Sequence, residues 1–227
     1  MIKGVLFDFN GTLFYDSDKH IKAFQKFQSD YGLPVMTDAE ITKLTFGRTN
    51  TDVFAMLFEG RTPEKSLDEY ALIKEADYRK ICLESPDTFK LASGVSEMFD
   101  WLKEKGIPFN IATGSGIENV EFYFEEFGLY KWLDIETVVY NDGSLRGKPE
   151  PDFYIEAAKR IGLLPSECII FEDALSGFIS ARAAGAGAIY GLLAPDGSPM
   201  LTGDVRIDGK LPDFTSFEEI FSKHGLK

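Results

Sequence analysis

The chain has 227 residues, 44% of them hydrophobic, and its 20 Phe are enough to build a sizeable core. Charged residues make up 27%, a mixture that argues against disorder and suits one large domain, or a core domain with a smaller insert. A formal net charge of -13 with no local basic patch excludes DNA and RNA as expected partners.

No apolar run approaches the length of a membrane span. The N-terminus opens on a strand pattern rather than a signal-peptide pattern. Cys82 and Cys168 are the two cysteines, far apart, and read as buried thiols in a reducing compartment. A cytoplasmic monomer with no membrane partner is expected.

Residues 2–9 form an apolar run that stops at Asn10-Gly11, the pattern of a strand buried on both faces. From about residue 16 to 87 no strand pattern occurs. Ile21, Phe24, Phe27, Gln28 and Tyr31 mark one amphipathic helix, and residues 41–44, 53–58 and 67–83 supply more. This is a helical insert after the first strand, so residues 1–15 and 88–227 form the core domain and 16–87 a cap-like second domain. Two short connections to the core would suit a lid moving on hinges.

Beyond the insert, helices and strands alternate. Helices are expected over 95–105, 152–161 and 175–184, each with Gly just past its end. Strands are expected over 108–113, 168–171 and 188–192. Alternation of this kind implies right-handed crossovers and an α/β fold with a doubly wound parallel sheet. The stretch APDGSPMLTGD reads as a turn or flap, and Phe122, Phe124 and Phe127 as core packing.

In open parallel sheets functional groups gather at the carboxyl ends of the strands. Here those ends carry Asp8, Thr113 and the Glu172-Asp173 pair, and the loop RGKPEPDFY adds Lys148. Asp8 and Asp173 would repel each other without a cation between them. Hard oxygen donors, with no clustered Cys or His, favour Mg²⁺ over zinc. Thr113, with Gly114 beside it, and Lys148 could then hold phosphoryl oxygens, and Lys148 would offset negative charge. Phosphoryl transfer asks for such positioning and charge stabilisation. Taken singly, each group has a plainer reading. Asp8 could cap a strand end, Thr113 or Glu172-Asp173 could cap a helix, and Lys148 could be a solvated loop lysine. The joint pattern favours function.

Four stretches carry a resemblance. DFNGTLF, ATGS, GKPEPDFY and IIFEDALSG, in this order across the core, resemble the four motifs of the haloacid dehalogenase superfamily. The helical insert resembles that family's small α-helical cap. Among its members the pattern is most similar to β-phosphoglucomutase-like proteins and sugar phosphatases. The resemblance implies a Rossmann-like core and a Mg²⁺-dependent phosphohydrolase acting on a small phosphate ester, such as a sugar phosphate. Asp8 would be the nucleophile that becomes an aspartyl-phosphate, Thr113 a phosphoryl ligand and Lys148 the lysine of the third motif. Mg²⁺ would be held by Asp8, Asp173 and the backbone carbonyl of Asn10, with Glu172 behind them or on a metal-bound water.

Position 10 departs from the pattern, because phosphatases and mutases of the family carry a general acid/base Asp there. An amide cannot exchange that proton, and general acid–base catalysis is worth about 10²–10⁴ in rate. Slowed turnover is expected, and a phosphate-ligand binding protein with lost turnover is the alternative. A phosphomutase is a further variant that Asn10 disfavours more. A natural amide and an engineered Asp→Asn change read alike, and Asn10-Gly11 is a dipeptide prone to deamidation. In the insert, His20 falls where mutase-like members carry a His reaching toward the site. It is either a proton carrier or a surface residue. Arg48, in a polar loop, suits gripping a distal phosphate or sugar oxygen. Asp16 and Asp18 read as helix caps.

Overall fold

The computed structural model describes residues 1–45, 49–195, 197, 200 and 202–227. They form two compact units, Met1–Tyr15 with Lys90–Lys227, and Asp16–Phe89.

In the first unit, strand β1 (Gly4–Phe7) is buried along its whole length, as its unbroken apolar run requires. Between β1 and the rest of this unit the chain makes the second unit, whose helices are α1 (Ser17–Asp30), α2 (Asp38–Thr45), α3 (Asn50–Leu57) and α4 (Leu67–Leu83). Capping boxes start three of them, Thr37 with Glu40 for α2, Thr49 with Asp52 for α3 and Ser66 with Glu69 for α4. Their shared core is aromatic: Phe27 packs on Tyr31, Phe54, Phe58 and Tyr70. Arg48 lies outside the described residues.

The first unit continues through α5 (Val95–Glu104), β2 (Phe109–Ile111), α6 (Ile117–Phe127), α7 (Asp152–Arg160), β3 (Cys168–Glu172), α8 (Leu175–Ala183), β4 (Ala188–Leu192), β5 (Gly209–Leu211) and α9 (Phe217–Lys223). All strand pairs are parallel, in the order β2-β1-β3-β4-β5. Val139 adds an isolated parallel bridge to Ala112 just past β2. The expected α/β doubly wound architecture is the one observed. The edge strand β5 and helix α9 were not among the expected elements. The three residues of β5 have no periodicity of their own and depend on pairing with β4, Tyr190 opposite Gly209. Helix α9 buries Phe217, Ile220 and Phe221, a helical spacing compressed into seven residues. Cys82 and Cys168 are both buried and free. No helix among the described residues is long and apolar enough to cross a membrane.

Asp16 is the N-cap residue of α1, as expected, but its side chain makes no capping hydrogen bond. Its carboxylate instead accepts from the Tyr78 hydroxyl at 2.5 Å.

Phe7 is the packing centre of the sheet face that carries α5. Its ring meets Phe99 at 5.4 Å, Phe171 at 5.4 Å and Phe214 at 5.9 Å between centroids. Phe7→Ala is expected to cost about 3–5 kcal/mol in unfolding free energy, read from the shift of the urea midpoint at unchanged m-value.

Candidate active site

Strand β1 is the point where the strand order reverses, with β2 on one side and β3 on the other. Ligand sites of open α/β sheets form at such reversals, beyond the carboxyl ends of the strands. Phe7 lies opposite Phe171, so the next residues on the two strands, Asp8 and Glu172, reach the same edge side by side. The backbone N–H of Asp8 donates to Phe171 O at 3.0 Å and continues the ladder to the last residue before the loop.

Lys148 enters this edge from the loop before α7. Its ammonium donates to Asp8 Oδ1 at 2.5 Å and to Glu172 Oε1 at 2.7 Å. All three side chains are nearly sealed from water, at 10% exposure or less. The same Glu172 Oε1 accepts from the Tyr154 hydroxyl at 2.8 Å. Its other oxygen accepts from the backbone N–H groups of Asp173 (2.8 Å) and Ala174 (3.0 Å). Four donors fill the acceptor capacity of this carboxylate.

Asp173 stands on the next loop. One oxygen from each of Asp8, Glu172 and Asp173 lies within 4.8 Å of the others. Three carboxylates against one ammonium leave an excess of negative charge in a buried place. An all-oxygen donor set of that kind fits a hard divalent cation such as Mg²⁺. Two glycines make room for these acids. A Cβ on Gly11 would lie 2.0 Å from Asp173 Oδ2, and one on Gly177 would lie 1.7 Å from Glu172 Oε1. Gly11 also has φ +78°, a left-handed conformation that other residues rarely adopt.

The electrostatics follow from burial. Burial pushes the Asp8 carboxyl up to about 7; Lys148 opposes the rise and Glu172 adds to it. Burial alone would lower the Lys148 ammonium, but Asp8 and Glu172 together outweigh it and hold the ammonium above its ordinary value.

Asn10 faces a different set of groups. Its side-chain oxygen accepts from the Ser115 hydroxyl at 2.8 Å and from Thr113 Oγ1 at 3.3 Å. Its side-chain nitrogen donates to the Tyr123 hydroxyl at 2.8 Å. The Thr113 hydroxyl also accepts from Ser115 N–H at 3.1 Å. The amide therefore ties the loop after β1 to the loop after β2 and to α6, and Gly114 lies between Thr113 and Ser115 in the chain.

Asp8, Asn10, Thr113, Lys148, Glu172 and Asp173 thus all belong to one edge of the first unit. His20 belongs to the helical unit. There its ring stacks on Tyr78 at 4.0 Å, Nε2 lies 3.2 Å from Asp16 Oδ2, and Nδ1 meets the buried Lys74 ammonium at 2.7 Å. His20 is therefore set in a network of polar partners rather than solvated at a helix start. Sequence reasoning missed three contacting residues, Ser115, Tyr123 and Tyr154. Ser115 stands in the quoted ATGS and Tyr154 closes the quoted GKPEPDFY, whereas Tyr123 is spaced like a core residue. A cavity of about 230 Å³ lies elsewhere in this unit, against Ile117, Val139, Tyr140 and Arg160, and none of the expected site residues among those described lines it.

Residues 2–185 match the haloacid dehalogenase-like hydrolase family. A phosphorylated carbohydrates phosphatase of Thermotoga maritima is 25% identical over 192 residues, covering 85% of this chain and 86% of that protein. Fructose-1-phosphate phosphatase YqaB of Escherichia coli is 30% identical, over 82% of this chain and 94% of that one. Among solved structures, a family IA, variant 3 hydrolase of Entamoeba histolytica superposes with a TM-score of 0.84 at 33% identity, covering 97% of this chain and 98% of that one.

The raised Asp8 carboxyl has a consequence for stability. An unfolded Asp releases its proton near 3.8, whereas folded Asp8 holds it to about 7. Between those values the folded state binds more protons, so the Asp8 contribution falls as pH rises and stays low above 7. With divalent cations chelated, Asp8→Asn is expected to gain in Tm relative to the unchanged chain between pH 4.5 and 7.5. A Tm difference that does not vary with pH would refute the shift.

Proposed function

This chain belongs to the haloacid dehalogenase-like hydrolases, and from that premise we propose a phosphohydrolase acting on small phosphorylated metabolites, with sugar phosphates as the first class to test. The observation that carries the reading is the Lys148 ammonium held at 2.5 Å from Asp8 at the sheet's reversal point. The named phosphatases among the relatives support the substrate class.

In this reading Asp8 attacks phosphorus through a carboxylate oxygen. The phosphorus–ester oxygen bond breaks, the ester oxygen leaves as an alkoxide that takes its proton from water, and a second water later cleaves the aspartyl-phosphate to regenerate Asp8. Lys148 offsets charge on the transferring group and keeps Asp8 oriented. Thr113 and the Gly114 backbone hold phosphoryl oxygens, for which the Thr113 hydroxyl turns from Asn10. The carboxylates of Asp8 and Asp173 and the backbone carbonyl of Asn10 would hold Mg²⁺. When bound, it supplies charge stabilisation for the phosphoryl oxygens. Glu172, already occupied by four donors, acts behind this set as an anchor for Lys148.

The departing alkoxide needs a proton, and the Asn10 amide does not supply one. Its engagement with Ser115, Thr113 and Tyr123 suits a group that braces the loop. That observation favours a second reading, in which the chain binds a phosphate ester with Mg²⁺ and turns it over little.

Phosphate release from a panel of sugar and metabolite phosphates, with Mg²⁺, separates the two. Asn10→Asp is expected to raise kcat by about 10²–10⁴, and Asp8→Asn to abolish turnover. Equal rates for the unchanged chain and Asn10→Asp would show that position 10 handles no proton. Calorimetric binding of a phosphate ester without release would establish the second reading.

A further inference from the structure

Tyr154 stands on α7 with its side chain fully buried. It touches the charged cluster in two ways. The Lys148 ammonium lies over its ring, 4.8 Å from the centroid. Its hydroxyl donates to Glu172 Oε1 at 2.8 Å, the oxygen that also receives Lys148 at 2.7 Å. The ring and the carboxylate therefore bound the ammonium on two sides, and one residue contributes to both boundaries.

A lysine on a flexible four-carbon stem needs such boundaries. A desolvated ammonium over an aromatic face is attracted by the ring quadrupole. Glu172 cannot turn away, because its second oxygen is fixed by the N–H groups of Asp173 and Ala174. Tyr154 closes this arrangement from the side of α7.

We propose that Tyr154 is a positioning residue for Lys148: its ring, and its hydroxyl through Glu172, fix the ammonium where the phosphoryl group is held. This rests on the reading of Lys148 as the phosphoryl-holding cation. Tyr154 touches no substrate in this scheme and acts only through the lysine.

A double-mutant cycle tests it, with inorganic phosphate as the probe and calorimetric affinity in the presence of Mg²⁺ as the readout. Lys148→Ala is expected to weaken phosphate binding. Tyr154→Phe, which keeps the ring and loses the hydroxyl, is expected to weaken it by roughly 3–10-fold in the unchanged chain. In the Lys148→Ala background the same change is expected to do nothing further. Tyr154→Leu, lacking ring and hydroxyl, is expected to weaken binding more than Tyr154→Phe. An equal Tyr154→Phe effect in both backgrounds, or none in either, overturns the proposal while leaving the role of Lys148 intact. Full phosphate affinity in Lys148→Ala overturns the reading of Lys148 itself, and the positioning role with it. A measurement on the unsubstituted chain guards against misfolded variants. The Lys148 ε-methylene proton resonance, assigned by its loss in Lys148→Ala, is expected upfield of the exposed lysines because of the ring beneath it. A resonance among those of the exposed lysines overturns the proposal.

Discussion

Asp8 and Glu172 leave neighbouring strands at the same level and point into a space that water barely reaches. Two carboxylates so placed repel each other, and Lys148 is what allows them to coexist. Breaking such a buried arrangement by removing one partner typically costs about 3–5 kcal/mol, because the remaining charge is left uncompensated. The loops around the sheet edge are arranged to make this contact. The segment before α7 must deliver a lysine to acids far away in sequence, and α8 must begin where its backbone can receive the far oxygen of Glu172. The surplus of negative charge that remains is the reason a divalent cation fits the place.

Position 10 carries an amide that the site accommodates without losing a hydrogen bond. Asn10 keeps a backbone carbonyl at the strand end, and its side chain is satisfied on both ends by hydroxyls. A hydroxyl both donates and accepts, so this surrounding would serve a carboxylate as well as an amide. The Tyr123 hydroxyl would only have to turn from accepting to donating. In the proposed reading, binding architecture and proton handling are thus separable, and a change at one side chain would touch the second while leaving the first.

Much of this was legible in the sequence because each acid follows an apolar run. A strand buried on both faces leaves no ambiguity about where it ends, and Asp8 and the Glu172-Asp173 pair are the first polar groups met there. Lys148 was legible through the GKPEPDFY stretch rather than through any periodicity. Tyr123 was not legible, and Tyr154, although it closes that same stretch, carried no sign of a role of its own. Each lies on a helix at a spacing that core packing explains fully, and only the register of distant elements turns its hydroxyl toward Asn10 or Glu172. Edge strand β5 was missed for a similar reason, since its few residues become a strand only against β4. Asp16 stands at the N-cap position of α1 as expected, but its carboxylate is engaged by His20 and by Tyr78, 62 residues away, a use that no local pattern reveals.

Gly11 and Gly177 carry no functional group, yet the acids lie where their side chains would be. Glycine is the residue whose unfolded backbone is freest, so ordering it costs about 0.5–1 kcal/mol more than ordering alanine inside a helix. At Gly177, inside α8, the chain accepts that entropic loss so that a carboxylate can lie against the helix backbone. The outline of the site is therefore written partly in absent atoms. For anyone diversifying this scaffold toward new substrates, these two positions are as immovable as the charged residues they accommodate, and a library that spares only the charged residues would lose its members to collision rather than to chemistry.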